Sequence, residues 1–180
     1  MRFTTRLLLC ASAAASFAGQ AAFSAQTCDT SDFPLSLPSE RFVAEEDGAI
    51  SDTSTQLMWQ RCALGQRWNG SSCEGDPRAL TWTDAQAAAT EVNDDGAHFF
   101  NDWRVPNVRD LASIVERQCV QPRTNIEVFP ATPADFFWTS TQRPGEHSAG
   151  RAYALSFGPE GVEHHPQADK HYVRLVRPAI

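Results

Sequence analysis

Three signatures are missing from this chain, and each absence removes a class of function. No Cys-x-x-Cys pair occurs among its five cysteines, so neither a common zinc knuckle nor a thioredoxin-like redox pair is encoded. No Gly-x-Ser-x-Gly elbow is present. The plentiful serines therefore lack the strained turn that exposes a hydrolase nucleophile, and pairing any of them with a histidine is arbitrary. Beyond the N-terminal segment no apolar run reaches the length of a membrane span. Internal repeats, heptads and low-complexity tracts are missing too.

What is present begins with an export signal. Met1 to Arg6 is a short basic start, Leu7 to Cys10 with the Ala/Ser run to Ala18 is an apolar core, and small residues offer cuts after Ala18, Ala21, Ala22 or Ala25. The segment is too short and too alanine-rich to remain in a bilayer, so residues 1–25 are expected to be a signal peptide and the protein to be secreted or periplasmic. Cys10 lies inside the apolar core and Cys28 follows Gln26-Thr27, which disfavours a lipid anchor. Removal of the signal leaves Cys28, Cys62, Cys73 and Cys119. An even set in an oxidising compartment favours two disulfides over a metal site, with three connectivities open. Cys62 and Cys73 bracket a turn-rich loop that closes readily on itself, which leaves Cys28 with Cys119 as a long-range staple.

About 155 residues then form one domain. Their charge is uneven. Gln26 to Thr141 holds eight basic against eighteen acidic residues, whereas Gln142 to Ile180 holds five against four together with four of the five histidines. Bulk acidity argues against nucleic acid and against polyanion binding over most of the surface. The C-terminal segment is the exception. Mildly acidic pH would charge its histidines and favour self-association or contact with anionic polymers.

Residues 26–40, with Pro34 and Pro38, read as an extended lead-in to a domain over 41–180. Arg41-Phe42-Val43 and Ala49-Ile50-Ser51 flank a turn at Glu45 to Gly48, which predicts a hairpin with Gly48 at positive φ. Leu57 to Cys62 reads as a third strand. Thr81 caps a helix to Asn93, with Asp84 as its capping-box partner and Trp82, Ala85, Ala88, Ala89 and Val92 as one apolar stripe. A second helix is predicted from the Asn107 cap to about Gln118, burying Val108, Leu111, Ile114 and Val115. Strands follow at Phe136–Thr141, Arg151–Phe157, Val162–His165 and Tyr172–Arg177. The middle and last of these alternate, which implies one buried face each. The expected architecture is α+β: two helices packed on short antiparallel sheets in a meander, with long loops and two disulfides.

The ordered segments Asp47 to Asp52, Thr55 to Cys62, Gly65 to Trp68, Trp82 with Ala85, Asp102 to Asn107, Phe129-Pro130, Phe137 to Thr141 and Tyr172 to Arg177 resemble one family. It is the C-terminal domain family of the Legionella collagen-like adhesin, Lcl. The resemblance implies a C-type-lectin-like fold, related in outline to the formylglycine-generating enzymes. It also implies surface attachment, since the namesake adhesin binds sulphated glycans and self-associates. Two features depart from that pattern. Ten glycines and no Gly-X-Y tract mean that the collagen stalk is missing, and the glycine usual before Leu-Met-Trp is Gln56.

Candidate residues follow. Trp59, Trp103, Arg104, Pro106 and Trp138 are expected to be structural: tryptophans flanked by apolar residues or by a helix cap anchor a core, and the Arg104 guanidinium can satisfy several loop carbonyls. Trp68, confined to the Cys62–Cys73 loop, cannot easily reach that core and is a candidate for ligand contact. His147, His164, His165 and His171 complete the candidate ligand surface. His164, His165, Asp169 and His171 also have zinc or copper chemistry, but adjacent histidines on a strand face opposite ways and cannot both ligate, so a solvated loop is favoured and no metal or cofactor is expected. The sequence is therefore read as a non-enzymatic binding module for a glycan, a surface polymer or an envelope protein. The alternative is a cryptic enzyme of the formylglycine-generating type or a metal-assisted hydrolase. The former needs free thiol, and only Cys62, beside Arg61, has a neighbouring cation that would activate one.

Overall fold

The computed structural model describes residues 25–95, 99–145 and 149–179; His147 and all of the expected signal peptide except Ala25 lie outside them. The described chain is a mixed α/β domain with two short helices, four small antiparallel sheets and two disulfides, Cys28–Cys119 and Cys62–Cys73. No helix among the described residues is long and apolar enough to cross a membrane.

The predicted hairpin forms. Strands β2 (Phe42–Ala44) and β3 (Ala49–Asp52) pair around a turn in which Asp47 and Gly48 have φ of 55° and 71°. Strand β4 (Leu57–Gln60) pairs next to β3. The turn that leads into β4 keeps left-handed geometry although Gln56 stands there, with φ 58°. Its side-chain amide donates to the Thr53 carbonyl at 3.0 Å, a local bond that partly offsets the steric cost. The fourth strand of this sheet comes from the far end of the domain: β11 (Val176–Pro178) lies beside β4, with Val176 opposite Trp59.

Strands β8 (Phe136–Gln142), β9 (Arg151–Ser156) and β10 (Val162–Pro166) form the expected meander, with β9 central and a bulge in β8 after Trp138. The predicted one-sided burial of β9 is not observed. Ala152, Ala154, Leu155, Ser156 and Phe157 are all buried, because a core lies on each face. Leu155 and Phe157 join Trp59, Leu111, Ile114, Phe129 and Phe137. Ala152 and Ala154 share the second core with Trp138, Trp103 and the Ala85, Ala88 and Ala89 stripe of helix α1 (Trp82–Asp94). The Thr81 hydroxyl accepts the Asp84 N–H, and Asp84 returns through its carboxylate to that hydroxyl rather than to the cap backbone.

Two further expectations fail, each for a readable reason. Helix α2 (Val108–Ala112) starts at the predicted Asn107 cap, which forms a full capping box with Asp110, but stops about six residues early. Its last bonds tighten to i→i−3 at Ile114 and Val115, and then the fully buried Glu116 takes over. Its carboxylate accepts the N–H groups of Ser36, Leu37 and Gln118 and the Ser36 hydroxyl, at 2.7–3.0 Å. A helix continuing to Gln118 would forgo that set. The same contacts tie the lead-in down: Leu37 is core, and β1 (Thr27–Cys28) pairs with β7 (Cys119–Val120), placing Cys28 opposite Cys119. The second failure is Tyr172 to Arg177, which does not alternate. Residues 173–177 are all buried and strand geometry begins only at Val176, so the run leaves the meander and joins the first sheet.

Arg174 is the extreme case. It is fully buried over the rings of Phe129 and Phe137, with one hydrogen bond to Thr132 and no carboxylate partner among the described residues. Burial pulls its pKa down to about 9, which leaves it a cation at neutral pH.

Burial alone would push the Glu116 carboxyl up, but the donors around it prevail and hold it below its ordinary 4.5. A folded-state pKa below the unfolded one gives stability that is present at neutral pH and lost as pH falls through the folded value. Glu116→Gln should therefore cost about 2–3 kcal/mol near pH 7, with the gap to the parent narrowing in urea titrations as pH falls below the ordinary carboxyl value of 4.5. A gap independent of pH would show that the carboxylate charge is immaterial. Gln56→Gly should raise unfolding stability by about 0.5–1 kcal/mol by relieving the left-handed side chain, measured in the same way.

Candidate functional site

The loop after β4 carries the most chemically distinctive surface. Cys62–Cys73 closes it, and within it β5 (Arg67–Trp68) pairs with β6 (Cys73–Glu74), Trp68 lying opposite Cys73. The Asn69 side chain accepts the N–H groups of Ser71 and Ser72, which turns the tip. Leu64 N–H donates to the Val173 carbonyl at 2.8 Å, and Arg78 N–H to the Leu64 carbonyl at 2.7 Å, so the loop is fastened to the buried 172–177 run.

Trp68, expected to sit free of the main core, is half-buried. Its Cβ and ring lie where a Cβ on Gly48 would be, 2.5 Å away, so the first hairpin needs glycine both for φ and for this approach. The Arg61 guanidinium lies 4.6 Å above the Trp68 ring. Together these residues wall a cleft of about 260 Å³, with Leu64 and Trp103 as buried members and Arg67, Arg78 and Asp47 as exposed ones. Three arginines face one acid here, and none of the three has an ion-pair partner among the described residues, whereas Arg41, Arg104 and Arg177 pair with Asp52, Asp110 and Asp102. Arg61 Nε is buried without a hydrogen-bond partner, and burial holds the guanidinium below its usual value. The chemistry on offer is an aromatic face beside unsatisfied cations. Arg61, Arg67 and Arg78 were not candidates from sequence, because charge summed over residues 26–141 hides a local cluster; Arg61 and Arg67, each beside a disulfide-loop landmark, were the available signal.

The structure places the other candidates as follows. Trp59 and Trp138 are fully buried, and Trp103 nearly so. The Trp103 backbone is held from both sides by the Asn93 side chain at 2.8 Å. Pro106 is buried and its carbonyl accepts Ser140 N–H. Arg104 does not gather several carbonyls: it pairs with Asp110 at 2.8 Å and makes one long bond to the Val105 carbonyl, with its side chain 42% exposed. Its partner is the acid of the α2 capping box, so it braces that helix end.

His164 and His165 diverge, as strand geometry requires. His164 Nδ1 accepts from Arg151 Nε at 2.9 Å near Tyr153. His165 faces the other way and meets His171, ring centroids 4.5 Å apart, against Phe136 and Trp138. Asp169 Oδ2 is 3.9 Å from His165 Nδ1. His165 and His171 are half-buried against aromatic rings rather than in a solvated loop, which corrects the sequence expectation for them, while Asp169 is exposed. His171 is held below its ordinary value by burial and by neighbouring His165, against the opposing pull of Asp135 and Asp169.

A larger cavity, about 670 Å³, lies between residues 25–26, 121–122, Ile126 and 130–135, but Asp135 is its one charged lining residue and alanines and prolines make up more than half of the lining. It offers shape without recognition chemistry.

With this geometry in place, comparison with known proteins identifies the class. The model of the Lcl C-terminal domain matches residues 48–177, and the chain belongs to the Lcl C-terminal domain family. No curated protein matches it. The match begins at the turn of the first hairpin and runs through β3, β4, the cleft loop, both helices and the meander into β11.

Gly48→Ala should force the Trp68 side chain from its place and strain the turn, costing about 2 kcal/mol or more. Trp68 fluorescence cannot be isolated among five tryptophans, so the check pairs a urea melt with quenching of the Gly48→Ala protein in the presence and absence of Trp68→Phe.

Proposed function

We propose that this protein is an exported, non-enzymatic attachment module of C-type-lectin-like type whose arginine and tryptophan cleft binds an acidic polymer: a sulphated or carboxylated glycan or another anionic envelope component. The observation that carries this reading is the trio Arg61, Arg67 and Arg78, unpaired among the described residues and gathered around Trp68 on a chain whose formal net charge is −7. Anionic groups can take the guanidinium donors while a sugar face stacks on the indole. The acidic remainder of the surface would repel polyanions everywhere else, which converts a weak cationic patch into an addressed one. Family membership supports an attachment role.

The enzymatic alternative has less support. All four cysteines of the described residues are in disulfides, so none is a free thiol for formylglycine-type chemistry, and no serine among the described residues is hydrogen-bonded to a histidine.

The test is binding to heparin, to a polyuronic acid and to neutral dextran, each immobilised, with Arg67→Gln/Arg78→Gln as the informative variant. Both residues are exposed, so the fold should survive. Loss of two charge-assisted contacts should weaken polyanion binding at least tenfold, with a shallower salt dependence and no change toward dextran. Equal affinity of parent and variant would remove the cleft from the function, and a preference for neutral dextran would remove the polyanion.

A further inference from the structure

We infer that His165, Asp169 and His171 form a binding site for a first-row divalent transition metal ion, Zn²⁺ being the best match. One ligand atom from each of the three lies within 4.8 Å of the others. A tetrahedral zinc with bonds of about 2.0–2.1 Å separates its ligands by about 3.3 Å, so closing on the ion needs side-chain rotation of about 1 Å and no backbone rearrangement. The donor set, two imidazoles and one carboxylate, is borderline in softness and suits zinc, with copper and nickel as competitors.

Three further observations point to a ligand at this place. The Nε2 atoms of both His165 and His171 are buried and have no hydrogen-bond partner, a combination that ordinarily costs stability and that a bound cation would remove. Glu163 lies on the same face of β10, two residues before His165, with its carboxylate 3.8 Å from His165 Nε2. With Nδ1 ligating beside Asp169, Glu163 is within reach of Nε2 to fix the ring, as outer partners of metal-bound histidines do. The backbone that carries the trio is also anchored: Trp82 N–H donates to the Gln167 carbonyl, Gln167 N–H to the Gly150 carbonyl, and His171 exchanges both backbone bonds with Leu80. The frame is therefore built before the ion arrives. Three protein ligands leave a fourth position open, and Asp169 is exposed, so that position can take water or a donor from another molecule.

This site is independent of the arginine cleft, and the experiment separates the two. The full exported protein, free of any affinity tag and stripped with chelator, is titrated with ZnCl₂ by calorimetry, and Co²⁺ is then substituted to read the visible d–d bands. One equivalent should bind with micromolar or tighter affinity, and Co²⁺ should give the intense bands of a four-coordinate centre. Asp169→Asn, at an exposed turn, should weaken Zn²⁺ binding at least tenfold with the unliganded melting curve unchanged. His165→Gln should abolish the Co²⁺ spectrum, and His164→Gln, on the opposite face, should bind like the parent. Absence of one-to-one binding at about 100 μM Zn²⁺, or parent-like binding by both Asp169→Asn and His165→Gln, would overturn the assignment, whatever the polyanion measurements give.

Discussion

Residues 172–177 are hydrogen-bonded to four separate parts of the domain, and the way these parts are joined depends on the burial of residues 173–177. Tyr172 bonds Phe136 and Trp138 of the meander, Val173 holds the cleft loop through Leu64, Leu175 receives Gln60 from the end of β4, and Val176 pairs with both Arg104 and Trp59. One strip of backbone thus joins the meander, the first sheet, the cleft and the segment that enters α2. The burial is complete enough to include two arginines. Arg177 is paired with Asp102 and lies 4.1 Å from the Phe100 ring, whereas Arg174 has only aromatic faces and a threonine. Moving a guanidinium out of water costs several kcal/mol, so apolar packing around the strip must supply the difference.

Much of the fold was legible in the sequence because it is written in local chemistry. Turn residues marked the first hairpin, Thr81 and Asn107 marked helix starts, and aromatic runs marked the meander. What escaped notice was non-local. Nothing in the sequence around Glu116 tells of Ser36 and Leu37, eighty residues earlier, so α2 was drawn too long. Nothing in the 172–177 alternation tells that both its faces meet protein. A period of two reports sidedness only for a strand with one dry face, and both faces of this segment are dry.

The sites divide in the same way. The divergence of His164 and His165 follows from strand geometry and was legible. The convergence of His165 with Asp169 and His171 depends on Leu80 fixing the far side of the turn and on Phe136 and Trp138 beneath the rings, which are long-range facts. The arginine cleft depends on the Cys62–Cys73 loop folding back over Gly48. Summed charge could not find it, since the eighteen acids of residues 26–141 outnumber and obscure three clustered cations. For an acidic protein the location of unpaired cations is the informative quantity.

The placement of β11 also constrains how the domain is born. Strands β2, β3 and β4 are synthesised early, but their sheet lacks a member until residues 176–178 have emerged, and the Trp59 side of β4 has no neighbour in the meantime. Folding therefore cannot proceed strand by strand behind the ribosome. The first sheet therefore stays open along β4 until residues 176–178 are available, which makes its closure a late, long-range event, in contrast to the Cys62–Cys73 loop, which spans only eleven residues.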